Sequence, residues 1–332
     1  MFRSMKIVIC CFVISVYGSV VHAERGDPVY IGNQNPWVLI FGLPKAESGN
    51  LTEDGILDTS FTYFITNHAI SDDSGDESII WDGETTQYNF AFRYGFSDTV
   101  ELGLDIPYVH HGGGYMDSMI RNYHDIFGMP NDRQEAFDKN QIHYQIQENE
   151  VILFQMQDSA SGIGDVRLSA AMPLMIDSLG EKRHLALRSQ IKLPTGDAKY
   201  LLGSGATDVS IGLTYSDFET LNNFDMVLSS HAGVIYLGDA DVLTNKQENI
   251  AVYGGISIDW LALENLEIKA QLDMHTALYD SDLVQLGSSI QLLVGGTLYL
   301  PGDMLLDLGI SEQLSTDATP DVGFYLHLQH VF

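Results

Sequence analysis

The chain predicts an all-β protein: a transmembrane up-and-down antiparallel β-barrel of about 12 strands, with a short helix in one long extracellular loop. Three observations carry this. Alternation of apolar and polar residues with period two recurs about a dozen times, roughly ten residues at a time, the pattern of a barrel whose two faces meet different media. The first 23 residues have the make-up of a secretory signal. The last strand, Gly323-Phe-Tyr-Leu-His-Leu-Gln-His-Val-Phe332, alternates to its end and closes on an aromatic.

The elements follow in order. In the signal peptide, residues 1–23, Arg3 and Lys6 form a basic start, Ile7 to Val16 an apolar stretch, and Val21-His22-Ala23 a cleavage site before Glu24. Ten apolar residues are too few to span a bilayer as a helix, which takes about 20. Residues 24–55 form an N-terminal arm, periplasmic or inserted in the lumen. Trp37, Leu39, Phe41 and Leu43 alternate there, but a thirteenth spanning strand would break the even count that single-chain bacterial barrels keep.

Residues 56–332 form the barrel, with strands expected near 56–67, 88–96, 100–108, 163–173, 184–194, 207–217, 225–236, 249–260, 265–276, 285–300, 304–312 and 320–332. The clearest pair sets Tyr88, Phe90, Phe92, Tyr94 and Phe96 beside Val100, Leu102, Leu104, Ile106 and Tyr108, joined by the turn Ser97-Asp98-Thr99. Short turns follow residues 96, 260 and 300. The longer loops 68–85, 110–162, 195–206, 237–248, 277–284 and 313–319 all fall at the other end. Placing Phe332 on the periplasmic side puts every listed long loop outside the cell, and a terminal Phe of this kind resembles the C-terminal signal of Gram-negative outer-membrane barrels.

Composition narrows the function. Both cysteines, Cys10 and Cys11, lie in the signal segment, so the mature chain has neither disulfides nor thiolate metal sites. Removing Arg3 and Lys6 from the 16 basic residues leaves 14 against 45 acidic ones, a net charge near −31. Such a chain repels nucleic acid. The expected partners are the lipid bilayer and lipopolysaccharide, with the barrel-assembly machinery during insertion; the barrel is expected to be a monomer, in the cell outer membrane, without cofactor.

The polar face carries Arg93, Glu101, Asp105, Arg167, Arg188, Lys192, Asp259, Lys269, Asp273 and Asp307. These are the candidate lumen-lining residues, either pairing to fill the interior or lining a passage, since about 12 strands enclose a bore between the filled 8-strand and open 16-strand cases. Loop 110–162 is too long for a simple connector. Within it Met116, Met119, Ile120, Tyr123 and Phe127 recur at helical spacing, and Asp117, Arg121 and His124 share the opposite face. That helix, 115–128, is a candidate plug or gate; capping the rim and lying on the membrane are its other readings.

Other clusters carry less. His110, His111, His124 and His143 match no compact metal-ligand spacing. Asp72, Asp73, Asp76, Glu77, Asp82 and Glu84 crowd an outer loop with no base among them and lack the spacing of a calcium loop. Ser229-Ser230-His231 suggests a hydrolase, yet Ser230 and His231 point to opposite faces, and Ser229 and His231 sit roughly 7 Å apart along one. The chain is therefore read as a non-enzyme: a passive channel or transporter for a small solute, with a structural or surface-interaction barrel as the alternative and an outer-membrane hydrolase behind both.

Two resemblances accompany this reading. Ser161-Gly-Ile-Gly-Asp165, Lys192-Leu-Pro-Thr-Gly-Asp197 and Gly203-Ser-Gly-Ala-Thr-Asp208 look like strand-rim motifs of the outer-membrane barrels linked to the meta-pathway of phenol degradation. More of the chain resembles an uncharacterised proteobacterial outer-membrane barrel family. It does so through Asn33-Gln-Asn-Pro36, the run Tyr94 to Pro107, and the loop from Gly112-Gly-Gly-Tyr-Met-Asp117 to Arg133. Neither family implies a catalytic residue.

Overall fold

A computed structural model describes residues 26–114, 116, 140–176, 182–315, 318 and 322–332. The signal segment and most of the expected helix 115–128 lie outside the described residues. The strands are β1 (Leu57–Ser74), β2 (Glu77–Ser97), β3 (Val100–Gly112), β4 (His143–Glu148), β5 (Val151–Met156), β6 (Ala160–Ile163) and β7 (Arg167–Ile176). They continue as β8 (Arg183–Lys192), β9 (Asp208–Asp217), β10 (Met226–Tyr236), β11 (Ile250–Leu263), β12 (Leu266–His275), β13 (Ser289–Leu300), β14 (Met304–Ser315) and β15 (Val322–Val331).

Each pairs antiparallel with its neighbour, and β1 meets β15 from Asp58↔Val331 to Asn67↔Val322, so the sheet closes on itself. Twelve strands form the wall. β6 and β7 share one place in it, pairing with the upper and lower parts of β3. Gly164 N–H donates to Pro107 O (2.8 Å) across the break between them, and the break turns Asp165 inward, where it is buried. The tight turns after β2, β11 and β13 lie at one end with Phe332, the periplasmic end by the rule for such barrels.

The wall obeys its alternation. Phe90, Leu102, Leu168, Ile211, Val252, Ile258, Val294 and Leu308 are exposed on the outside, an apolar belt fit for hydrocarbon. Asn89, Arg93, Lys192, Asp259 and Lys269 are buried on the inside. A closed sheet is what lets every backbone group find a partner in lipid.

Two expectations about the outer end are corrected. Residues 68–85 are not a loop: β1 and β2 continue as a ladder to Ser74↔Glu77. Loop 110–162 contributes the hairpin β4–β5, which adds β4 to β2 from Glu77↔Glu148 to Asp82↔His143, and also β6. Alternation persists in these segments, but the carboxylates of 72–84 disguise it. Those carboxylates are not without a base either, because Lys246 arrives from another loop to pair with Glu77 and with Glu148 (2.7 Å). Among the described residues the complete helices are the four-residue turn Pro36–Leu39 and three short 3-10 turns.

Candidate channel lumen

The bore is occupied by the segment preceding β1. Its ascending limb starts near the periplasmic rim, where Gly26 N–H donates to Glu267 (3.3 Å). Halfway up, Val29 and Gln271 exchange two hydrogen bonds, 2.8 and 3.1 Å. Near the outer end Asn33 meets His275 (2.9 Å) and donates to Ala318 O, while Asn35 donates to Gln285 O. The sequence Asn33-Gln-Asn-Pro36 explains the turn at the apex. Asn33 Oδ1 accepts from Asn35 N–H, Asn35 Oδ1 caps the helical turn by accepting from Trp37 N–H, and Pro36 starts it.

The descending limb returns along β8 and β9. Gly42 N–H donates to Asp208 (2.8 Å), Thr214 Oγ1 donates to Ser48 O (3.1 Å), and Thr52 N–H donates to Glu101 (2.8 Å). Glycine lets it lie against the wall: a Cβ on Gly49 would fall 2.5 Å from His184 O, and one on Gly95 would fall 1.8 Å from Glu53 O.

The apex and the limbs sit in different surroundings. Trp37, Val38, Ile40 and Phe41 are buried in one apolar cluster with Ile79, Trp81, Tyr144 and Ile146 of the outer β-extension and Leu237, Val242, Leu278 and Tyr279 of the outer loops. Trp37 meets Phe154 edge-on at 4.9 Å, and Tyr279 Oη donates to Trp37 O (2.8 Å). Fully burying each large apolar side chain contributes about 1.5–3 kcal/mol.

Below this cap the bore is polar. All ten candidate lumen residues lie on the inner face; Arg188 and Asp273, the least covered, keep side-chain exposures of 13% and 16%. The structure gathers eight of them into three groups. Arg93 holds Glu47 (2.7 Å), Asp105 (3.0 Å) and Tyr30 (2.6 Å), and Arg188 bridges Glu47 (3.2 Å) and Glu101 (2.6 Å). Lys192 lies between Asp165 (2.8 Å) and Asp208 (3.0 Å), and donates to Ile40 O (3.0 Å). Lys269 approaches Asp307 (3.6 Å), donates to Asp27 O, and stands opposite Asp259 in the ladder.

Of the other two, Arg167 stands opposite Asp105 and Lys192 in the ladders, and Asp273 stands opposite Gly255 and Gln291. Arg167 donates to Phe41 O (3.3 Å), and Asp273 accepts from Gln271 (2.8 Å). Between the limbs and the wall, mostly β1, β2 and β13–β15 with Arg188 of β8 and Lys269 of β12, remains a cavity of about 520 Å³, lined also by Tyr30, Glu47, Arg93 and Asp307.

Sequence reasoning missed Tyr30 and Glu47, which lie outside the alternating run 37–43 of their segment. It also missed Asp165, Asp208 and Glu267; the first two end the rim motifs quoted above. The candidate gate residues Asp117, Arg121 and His124 lie outside the described residues. Met116, just before them, is buried against Ile65, and its N–H donates to Glu84. Ser229 and His231 do not pair: Ser229 meets Ser216 (3.1 Å), and His231 faces Asp273 at 3.8 Å. Among the described residues no three potential metal ligands converge.

Comparison with known proteins agrees with this architecture. The crystal structure of the COG4313 outer membrane channel from Pseudomonas putida F1 superposes with a TM-score of 0.55 at 13% identity, covering 85% of this chain and 97% of that one. The Ralstonia pickettii toluene transporter TbuX gives 0.40 at 8% identity, over 85% and 90%. The Pseudomonas putida toluene transporter TodX gives 0.39 at 11%, over 92% and 94%. At these identities the first shows a shared fold, that of an outer-membrane barrel, and the other two carry no argument. No curated protein matches. The chain belongs to the family described as Protein of unknown function (DUF3187), matched over residues 4–332.

Proposed function

We propose that this outer-membrane barrel is a passive channel for a small solute, closed in this state by the N-terminal segment 26–55. One observation carries the reading: a stretch of chain outside the wall, rather than side chains of the wall, fills the bore. Twelve strands leave more room than wall side chains fill, and the limbs satisfy their polar groups with bonds that water can replace. The division into a signal peptide 1–23, an arm 24–55 and a barrel 56–332 belongs to this reading. So do a monomeric barrel, lipopolysaccharide at its outer rim and insertion by the assembly machinery.

The apolar cap supports the second reading, a permanently shut structural barrel, because it favours closure. A reversible staple separates the two. Ser48 Oγ and Ser216 Oγ lie 3.1 Å apart, joining the descending limb to β9. In the doubly substituted S48C/S216C protein, planar-bilayer conductance and liposome swelling should be low when oxidised and rise on reduction. Equal silence in both states, with the folded barrel verified by its heat-modifiable gel shift, would favour the structural barrel.

A further inference from the structure

The charges of the bore are unevenly placed. On the wall formed by β2, β3 and β6–β9, Arg93, Arg167, Arg188 and Lys192 balance Glu101, Asp105, Asp165 and Asp208, and three of the four bases hold a carboxylate within 3.2 Å. On the opposite wall, β10–β15 and β1, the described inward-facing charges are Asp58, Asp259, Glu267, Asp273 and Asp307 against Lys269 alone. Three of these acids bond through one oxygen only: Asp58 accepts from Gln329, Asp259 from Ser257 and Asp273 from Gln271. Asp259 is 1% exposed, and its Oδ1 accepts no hydrogen bond; buried Oδ1 atoms of Asp58 and Asp273 accept none either. A buried carboxylate oxygen normally finds a donor; on the balanced wall Asp105 Oδ2 also accepts no hydrogen bond but lies 3.0 Å from the Arg93 guanidinium, a compensation that Asp58, Asp259 and Asp273 do not have.

We infer that the open bore passes small cations in preference to anions, and that the β10–β15/β1 wall sets this preference. The inference rests on the channel reading. With the arm withdrawn, the acids of this wall face the open bore directly, and their field acts on whatever enters it. The balanced wall cancels most of its own field, whereas the acidic wall, five carboxylates against one lysine, presents a net negative face that concentrates cations and excludes anions, as acidic rings do in cation channels. The expected solute class is a monovalent metal ion or a small organic ammonium, rather than a carboxylate or phosphate.

The test uses the full-length protein carrying W37A/F41A, which loosens the apex and leaves both charged walls intact. Its reversal potential in a KCl gradient should show K⁺ favoured over Cl⁻ by several-fold. Adding D259N/D273N should bring the permeability ratio toward one. The control substitution E101Q/R188Q, which removes one charge of each sign from the balanced wall, should leave the ratio in place. A pore that conducts with a ratio at or below one, or whose ratio ignores D259N/D273N, overturns this inference while the channel stands. If a folded W37A/F41A barrel and the reduced S48C/S216C protein both fail to conduct, the channel itself falls and the inference with it.

Discussion

The two ends of the N-terminal segment's path are held by opposite means. At the outer end its apex buries Trp37 and Phe41 among aromatic and aliphatic side chains. In the bore its limbs rest on Gln271, Arg93, Arg188 and Ser216, with a cavity of about 520 Å³ left alongside. Apolar burial gives the apex a large, non-directional stabilisation. Buried charge pairs give little net stability but fix position, because misplacing one partner leaves a charge unpaired. The cap therefore sets how firmly the segment is seated, and the bore sets where it lies.

The largest test of this division acts on the cap. Substituting W37A/F41A should cost the closed state about 3–5 kcal/mol or more, raising the open-to-closed ratio by at least about 100-fold. Single-channel open probability measures this, while the heat-modifiable shift should be unchanged. A barrel as silent as the parent would mean the cap does not hold the segment.

Lys192 is the point where bore and cap meet. Replacing it with Met strands Asp165 and Asp208, at a cost of about 3–5 kcal/mol. The expected result is a lower unfolding temperature together with more frequent openings, both largely recovered by adding D165N/D208N. Loss of stability without any change in gating would place Lys192 in the wall alone.

The smallest effect concerns pH at the outer rim. Burial pushes the Glu77 carboxyl up, but hydrogen bonds from Lys246, Ser281 and the Asp282 N–H outweigh it and hold the group below its ordinary value near 4.5. A depressed folded value means that this stabilisation is present above pH 4.5 and is lost as pH falls through the lower folded value. Amide protection in loop 237–248, taken relative to the intrinsic exchange rate at each pH, should therefore fall at acid pH in the parent, and K246M should flatten that dependence.

Much of this barrel could be read from the chain, and the unread parts have physical causes. Wall strands were legible because lipid enforces a strict alternation, as in Phe90 and Tyr94 outside against Asn89 and Arg93 inside. The outer continuation of β1 and β2 was not, since above the membrane no hydrocarbon disciplines the outward face and Asp72 and Asp73 can stand among strand residues. The lumen charges were legible as a set, but not their partners. Glu47 serves both Arg93 and Arg188 from beyond the alternating run 37–43, where no pattern marks it. Three rim motifs offered a signal that went unused, because Asp165, Lys192 and Asp208 meet in one ion cluster.

The closing seam has a consequence for the order of assembly. The segment at 26–55 precedes every strand, yet it bonds Gln285, 250 residues beyond Asn35, and Ala318, 285 residues beyond Asn33. The cylinder shuts only when β15 reaches β1. Contacts so distant in sequence form late and slowly, so the final zipping of the seam from Asp58↔Val331 to Asn67↔Val322 is also the moment at which the segment becomes enclosed. Both limbs run back to the same rim, so enclosure requires no threading of chain through a finished ring. The nascent sheet can curl around a hairpin already lying against it, and a fault in that hairpin would first be felt as a delay in maturation.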